Sequence, residues 1–448
     1  MIKRYIISII WVTIAACAET NSSSQDPKLT EVSLSKQFGM VVTSLFDRDI
    51  AKAKYFDTIA GQYIEQNQYQ EALVYRLKAL EARERFLGNK NTIVAESLNC
   101  VGRAYDNLNQ DKKAIEYYKR ALKVREEMGD TGSYDVGILY NNLANSYNAL
   151  ADYEKSMAYN LKALQIKEHN PDVSKISLAI SYSNLADTYF SQGDYNNSLL
   201  YDFKALKIRK TYVGEESVKV ADSHNSIGLT YYYQARYEKA LKHLEKARSI
   251  REKELGKESD DTAEVYNNIG LVYDDKGDAE KAMTYYQKAL YIREKLYPGE
   301  HYNKATTYNN IAGLYTEEER YDEAIKYYLK AVAIYKKLYG GRHPKIAIFY
   351  NNMGQTYKDQ GDYAKAKAYF LDAIAIYQEK KIFMHPNLAT FYDNLAGIDE
   401  LQEQYTEAMG HYQKALHIRQ AAFGEEHEDT QYIKEEIDSL KKRIKKGS

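Results

Sequence analysis

The chain has little of what breaks helices, staples small domains or binds metals. Its 448 residues include 5 prolines, 2 cysteines and 1 tryptophan. So few prolines fit an all-helical chain, because proline costs about 3 kcal/mol inside a helix. Two cysteines, Cys17 and Cys100, supply neither a disulfide framework nor a metal set. An excess of one charge is also missing. The 62 basic and 63 acidic residues sum to −1, so there is no overall footprint for nucleic acid, which needs a basic patch or stripe. The 9 histidines are scattered, with His343 and His385 in loop-like segments, and no HExxH or GxSxG is present. Leu255-Gly256-Lys257 lacks the glycine spacing of a phosphate loop. These absences lead us to expect no enzyme, no metal and no cofactor.

Long apolar runs are absent too, except at the N-terminus. Lys3 and Arg4 precede an apolar run from Tyr5 to Ala16. That run is short of the roughly 20 residues needed to span a bilayer but suits a signal-peptide core over 1–16. Ile14-Ala15-Ala16-Cys17 resembles a bacterial lipobox, which implies a lipidated Cys17 and attachment to a membrane of the cell envelope. Residues 17–30, with Asn21-Ser22-Ser23-Ser24-Gln25-Asp26-Pro27 at their centre, then form a flexible tether. Two other readings stay open: plain secretory cleavage, since Ala16-Cys17-Ala18 also fits an A-x-A site, and an uncleaved anchor.

What the chain has in abundance is tyrosine, 45 residues of it. These follow a period. From residue 51 the sequence repeats every 42 residues in nine blocks, starting at 51, 93, 135, 177, 219, 261, 303, 345 and 387. One column is alanine throughout, from Ala79 and Ala121 to Ala415. Another is tyrosine in eight blocks, from Tyr63 to Tyr357, with Asp399 in the ninth. Within a block, Tyr266, Ile269, Gly270 and Tyr273 share one helix face, Lys276-Gly277-Asp278 interrupts, and Ala282, Tyr286, Ala289 and Ile292 form a second stripe. Each block reads as a helix–turn–helix hairpin that buries its stripe only by stacking on its neighbours. A Gly or Asp column ends the second helix, at Gly88, Asp130, Gly214, Gly256, Gly340 and Gly424.

Tyr266-x2-Ile269-Gly270-x2-Tyr273, followed by Ala282-x3-Tyr286 and Ala289, resembles the tetratricopeptide repeat signature over residues 51–428. The period exceeds the usual 34 by eight residues. The long second helix and loops such as Gly340-Gly341-Arg342-His343-Pro344 are similar to the repeats of kinesin light chains. No heptad coiled coil precedes the repeats, so that family's cargo role is not implied. The resemblance implies an all-α, right-handed superhelical solenoid of nine repeats. Residues 31–50 are expected as an N-terminal capping helix and 429–448 as a C-terminal one.

The same resemblance places a partner in the concave groove of the first helices. Two asparagine columns stand there: Asn142, Asn184, Asn268, Asn310, Asn352 and Asn394, beside Asn99, Asn141, Asn225, Asn267, Asn309 and Asn351. Asparagine is a mediocre helix former, and carboxamides pair with both N–H and C=O of an extended peptide. Their competing role is to bond neighbouring helices. Ile138, Ile180, Phe190, Leu229, Tyr232 and Tyr233 give an apolar, aromatic stretch at the same phase. Glu264, Asp274, Asp275, Glu317, Asp359 and Glu400 make the later blocks acidic, which favours a ligand with positive charge. The lysine and arginine columns of a carboxylate-clamping relative are missing. The function expected is a protein- or peptide-binding scaffold at a bacterial envelope. The alternatives are a sensor subunit that relays a signal to a membrane kinase or transporter and, last, an envelope hydrolase. The partner's identity and the oligomeric state stay open.

Overall fold

The computed structural model describes residues 40–66, 68–170 and 174–447. Among them are nineteen helices and no strands. The expected signal segment, Cys17 and the tether lie outside the described residues. Nine hairpins follow in order: α1 (Met40–Glu65) with α2 (Tyr69–Leu87), α3 (Thr92–Asn107) with α4 (Asp111–Glu127), and α5 (Tyr134–Ala149) with α6 (Tyr153–His169). Then come α7 (Lys175–Ser191) with α8 (Tyr195–Val213), α9 (Val218–Tyr233) with α10 (Tyr237–Glu254), and α11 (Asp260–Asp275) with α12 (Ala279–Leu296). The last three are α13 (Tyr302–Glu317) with α14 (Tyr321–Tyr339), α15 (Pro344–Asp359) with α16 (Tyr363–Glu379), and α17 (Pro386–Leu401) with α18 (Tyr405–Phe423). A final helix, α19 (Glu428–Gly447), packs on α18 through Ile433, Ile437 and Leu440. At the other end, α1 runs unbroken from Met40 through residue 50. The described part of the stretch assigned to an N-terminal capping helix is therefore the start of the first repeat's own helix. No described helix is long and apolar enough to cross a membrane.

From the second hairpin to the ninth, the turn inside each hairpin holds one residue with positive φ. Gly193, Gly277 and Gly361 adopt it freely, but Ala151, Ala235, Glu319 and Glu403 hold the same place at φ between 54° and 60°, a conformation that strains a residue with a Cβ. Small residues in the first helices then let the second helices in. A Cβ on Gly354 would meet the Phe370 ring at 2.6 Å, and one on Gly228 would meet Leu244 at 2.7 Å. Alanine also serves in this column: Ala144 and Ala186 stand opposite Asn160 and Asp202, and Ala312 and Ala396 opposite the buried Tyr328 and Tyr412.

Tyrosine is abundant because each hairpin stacks rings between its two helices. In the third repeat Tyr140 and Tyr147 lie 5.8 and 5.6 Å from Tyr159, with Lys162 over Tyr140 and Tyr159. The pattern recurs in the sixth with Tyr266, Tyr273, Tyr285 and Lys288. The fifth repeat substitutes a histidine pair, His224 and His243, with Nδ1 atoms 3.0 Å apart. In the ninth, fully buried Asp399 pairs with His411 at 2.7 Å and Lys367 at 2.6 Å.

A buried cation joins each of several second helices to the next hairpin. Arg251 bonds to Asp222, Glu264 and the Asp261 carbonyl. Arg293 bonds to Asp260, Thr307 and the Asn303 carbonyl. In the seventh and eighth repeats Tyr335 and Tyr377 take this place, edge-on to Phe349 and Phe391.

The superhelix is tight enough for its second turn to touch its first. Tyr69 stacks on Tyr339 with ring centroids 6.5 Å apart. Lys112 donates to the Lys381 carbonyl at 2.9 Å, and Tyr153 stacks on Phe423 at 6.4 Å. Farther along, Gly193 leaves room for His427, whose Nε2 lies 2.5 Å from where a Cβ would be. The hairpin turns of repeats one to four thus meet the loops after repeats seven to nine along a seam.

Candidate protein-binding groove

First helices of neighbouring repeats approach one another, as α3 does α5, α5 does α7 and α9 does α11. No pair of neighbouring second helices does so to the same extent. The first helices therefore form the inner side of the curve, and the asparagine columns lie on them.

Most of these asparagines are bonded to each other. Asn142 donates to Asn99 Oδ1, Asn268 to Asn225, Asn310 to Asn267, Asn352 to Asn309 and Asn394 to Asn351, at 2.8–3.1 Å. Each link joins one first helix to the one before it. Asn225, Asn267, Asn268 and Asn351 are buried, and the others in the ladder are half-buried apart from Asn141, which is buried but paired elsewhere.

The ladder breaks in the fourth repeat. Asn141 pairs with Ser181 instead, so Asn184 has no partner on the preceding helix. The next link is lost as well, because serines stand at 183 and 226. In the third and fourth repeats Ser183 Oγ, Asn148 Oδ1, Asn160 Oδ1 and Asp202 Oδ1 are buried with no hydrogen bond. Asp187, beside Asn184 on α7, is solvent-accessible, yet the surrounding protein pushes its carboxyl up to about 6, against the pull of Arg209. Burial raises Asp202 further, with Asp187 adding to it.

Next to the break stands a cluster of rings. Phe190 meets Tyr233 edge-on at 5.0 Å and Tyr195 at 5.6 Å. Tyr232 lies 5.1 Å from Tyr233 and 6.4 Å from Tyr237. Tyr233 is 55% exposed. Of the apolar residues expected in the groove, Phe190, Tyr232 and Tyr233 come together. Ile180 is exposed but joins no ring contact, and Ile138 and Leu229 are half-buried. Tyr195 and Tyr237 sit at the starts of second helices, and a reading of first-helix phase alone passes over them.

Beyond the rings the groove turns acidic. Burial, together with Glu317 and Asp275, pushes Asp274 up to about 7, and burial and Asp275 raise Glu317. Asp275 also raises Tyr232, after burial. The acidic stretch is therefore not uniform: Asp274, Asp275 and Glu317 form a cluster, whereas Glu264 is paired with Arg251 and Glu400 with Arg443. Among the described residues no group of three ligand-type side chains is arranged to hold a metal ion. Cys100 is a half-buried free thiol.

Several solved structures match the chain at low identity. BtubC (BKLC) from P. vanneervenii is 21% identical, with a TM-score of 0.37 over 61% of this chain and 91% of that one. A Podosopora anserina putative kinesin light chain with nearly identical TPR-like repeats is 19% identical, with a TM-score of 0.38 over 47% and 99%. A Rap protein complexed with competence and sporulation factor is 15% identical. Its TM-score is 0.54 over 83% of this chain and 99% of that one, so it shares the fold. No curated protein matches the sequence. The tetratricopeptide repeat family matches residues 49–127, 135–211, 219–295 and 303–379, and a second profile of that name matches 388–429. With hairpins, columns and profile in agreement over most of its length, the chain belongs to the tetratricopeptide repeat family, whose solenoid is a protein-binding scaffold.

Proposed function

We propose that the groove grips an extended peptide segment at repeats three to five and that the chain acts as a scaffold or adaptor rather than a catalyst. One observation carries this reading: the asparagine ladder is interrupted where the aromatic cluster stands. Elsewhere each carboxamide spends a hydrogen bond on its neighbour. At Asn184 the amide is open, and Asn160, which donates to the Asn184 carbonyl, keeps a buried unpartnered Oδ1. An amide of this kind pairs with a peptide's N–H and C=O, and the rings around Tyr233 supply the apolar anchor that interface cores favour. The Asp274, Asp275 and Glu317 carboxylates on one side select a segment that carries a basic residue next to its anchor.

The N-terminal sequence supports a place for this scaffold. A basic start, a short apolar run and Cys17 after two alanines fit a lipid-anchored protein of a bacterial envelope. The alternative of a sensor subunit for a membrane kinase or transporter shares that location and differs in how long the partner stays bound.

The test is a crosslinked pull-down from envelopes, scored by mass spectrometry. The variant Asn184→Ala with Tyr233→Ala is compared with Asn310→Ala, which removes a ladder link. A partner lost from the first variant and kept by the second supports the groove reading. A partner kept by both sinks it. Fatty-acid labelling that survives Cys17→Ser would sink the anchor.

A further inference from the structure

The seam between the two superhelical turns encloses a cavity of about 290 Å³. One wall is the turn of the second repeat, with Leu108, Asn109 and Gln110, joined by Gln70. The other is the loop after the seventh repeat, with Tyr339 and His343, joined by Lys380. The volume corresponds to about ten waters and lies at the lower edge of ligand-pocket sizes, about 300 Å³.

His343 is the informative residue. Its Nδ1 accepts the Lys345 backbone N–H at 3.1 Å and so caps α15. The neutral ring must then carry its proton on Nε2. The side chain is only 5% exposed, and that Nε2 has no hydrogen-bond partner. Three other histidines, His301, His385 and His427, cap helices in the same way, and none of them leaves a buried nitrogen unpaired. Buried donors are nearly always satisfied. The orphan lies in the wall of the seam cavity, where Lys380 adds a cation and no carboxylate lines the space.

We infer that this cavity is a binding site for a small oxyanion, held between the two turns by His343 Nε2–H and the Lys380 ammonium, with Gln70, Asn109 and Gln110 completing its hydrogen bonds. A ligand there touches both walls of the seam. The inference stands apart from the groove, since none of these residues belongs to the peptide site.

The experiment is titration calorimetry on the folded chain with succinate, inorganic phosphate and, as the neutral match, succinamide. His343→Asn is the key variant. Asn91 already caps α3 at the same register by accepting the Ile93 N–H at 2.9 Å, so asparagine keeps the cap and removes the Nε2 donor. Lys380→Gln removes the cation from an exposed position. The expected result is binding of succinate or phosphate but not succinamide, weakened at least about tenfold by either substitution. No binding of either anion, binding that succinamide matches, or anion affinity unchanged in His343→Asn would each overturn the site, leaving the cavity to water.

Discussion

Gly270 lies against the face of Tyr286: a Cβ on the glycine would sit 2.5 Å from the ring. The tyrosine is fully buried and donates to Asp274 at 2.9 Å. It packs between the helices of its hairpin and also braces the acidic part of the groove. Gly270→Ala must displace that ring, and we expect a loss of about 1–3 kcal/mol. Gly61, one position later in its own repeat, has nothing within 4 Å. Gly61→Ala should stabilise by about 0.5–1 kcal/mol. Urea denaturation of the two variants checks the contrast.

The asparagine ladder predicts an asymmetry of its own. Asn268→Ala leaves buried Asn225 Oδ1 without its donor, which costs about 1–3 kcal/mol. Asn184→Ala breaks no ladder link and should change the denaturation midpoint little. Equal losses in both variants would show that Asn184 is as structural as the rest.

Arg293 is 3% exposed and holds three partners. Arg293→Ala takes the ion pair from the partly exposed Asp260, which keeps its Asn303 hydrogen bond, and opens a gap, with an expected cost of about 2–4 kcal/mol. Arg293→Met keeps the bulk and should cost less, since the uncharged Tyr335 serves in the seventh repeat. Thermal unfolding of the pair tests whether charge or volume matters more at this joint.

The histidine caps give the protein a signed pH dependence. Burial is the main cause that pushes His301, His343 and His385 down to about 4, against about 6.5 in an unfolded chain. Between those values the unfolded state holds protons that the folded state does not. The stability these groups contribute is therefore full above pH 6.5 and lost as pH falls to 4. Asp106 and Asp274, pushed up to about 6 and 7 mainly by burial, act in the opposite direction. The clean measurement is a difference: wild type minus a variant with serine at all three caps, as Ser133 and Ser259 already are in their repeats. That difference in stability should be flat above pH 6.5 and fall between 6.5 and 4. A flat difference throughout would show that the capping nitrogens accept no such penalty.

The hairpins were legible in the sequence because stacking imposes the same column on every repeat, and alanine or tyrosine recurs wherever the packing recurs. The bonds between columns were harder to read. Asn268 pairs with a residue 43 positions earlier, one repeat and one residue away, so neither column by itself reveals its partner. The arginines of the second helices stand in plain view as Arg251 and Arg293, but a charged residue on an amphipathic helix reads as solvated until the next hairpin covers it. In the groove, helix phase found Phe190, Tyr232 and Tyr233 and overlooked Tyr195 and Tyr237, which enter from the second helices. The seam left no local mark, because it arises from a small rotation per repeat summed over a whole superhelical turn.

That summation makes the protein a ruler of its own length. Lys112 meets a carbonyl 269 residues away, and nearly the same interval separates Tyr69 from Tyr339 and Tyr153 from Phe423. Open repeat arrays gain or lose modules cheaply, since each unit answers only to its neighbours. Here the removal of one 42-residue module between the fourth and seventh repeats would bring every seam residue opposite the wrong counterpart at once. The number of repeats in the span is therefore itself under structural constraint, like the number of teeth on a meshing gear.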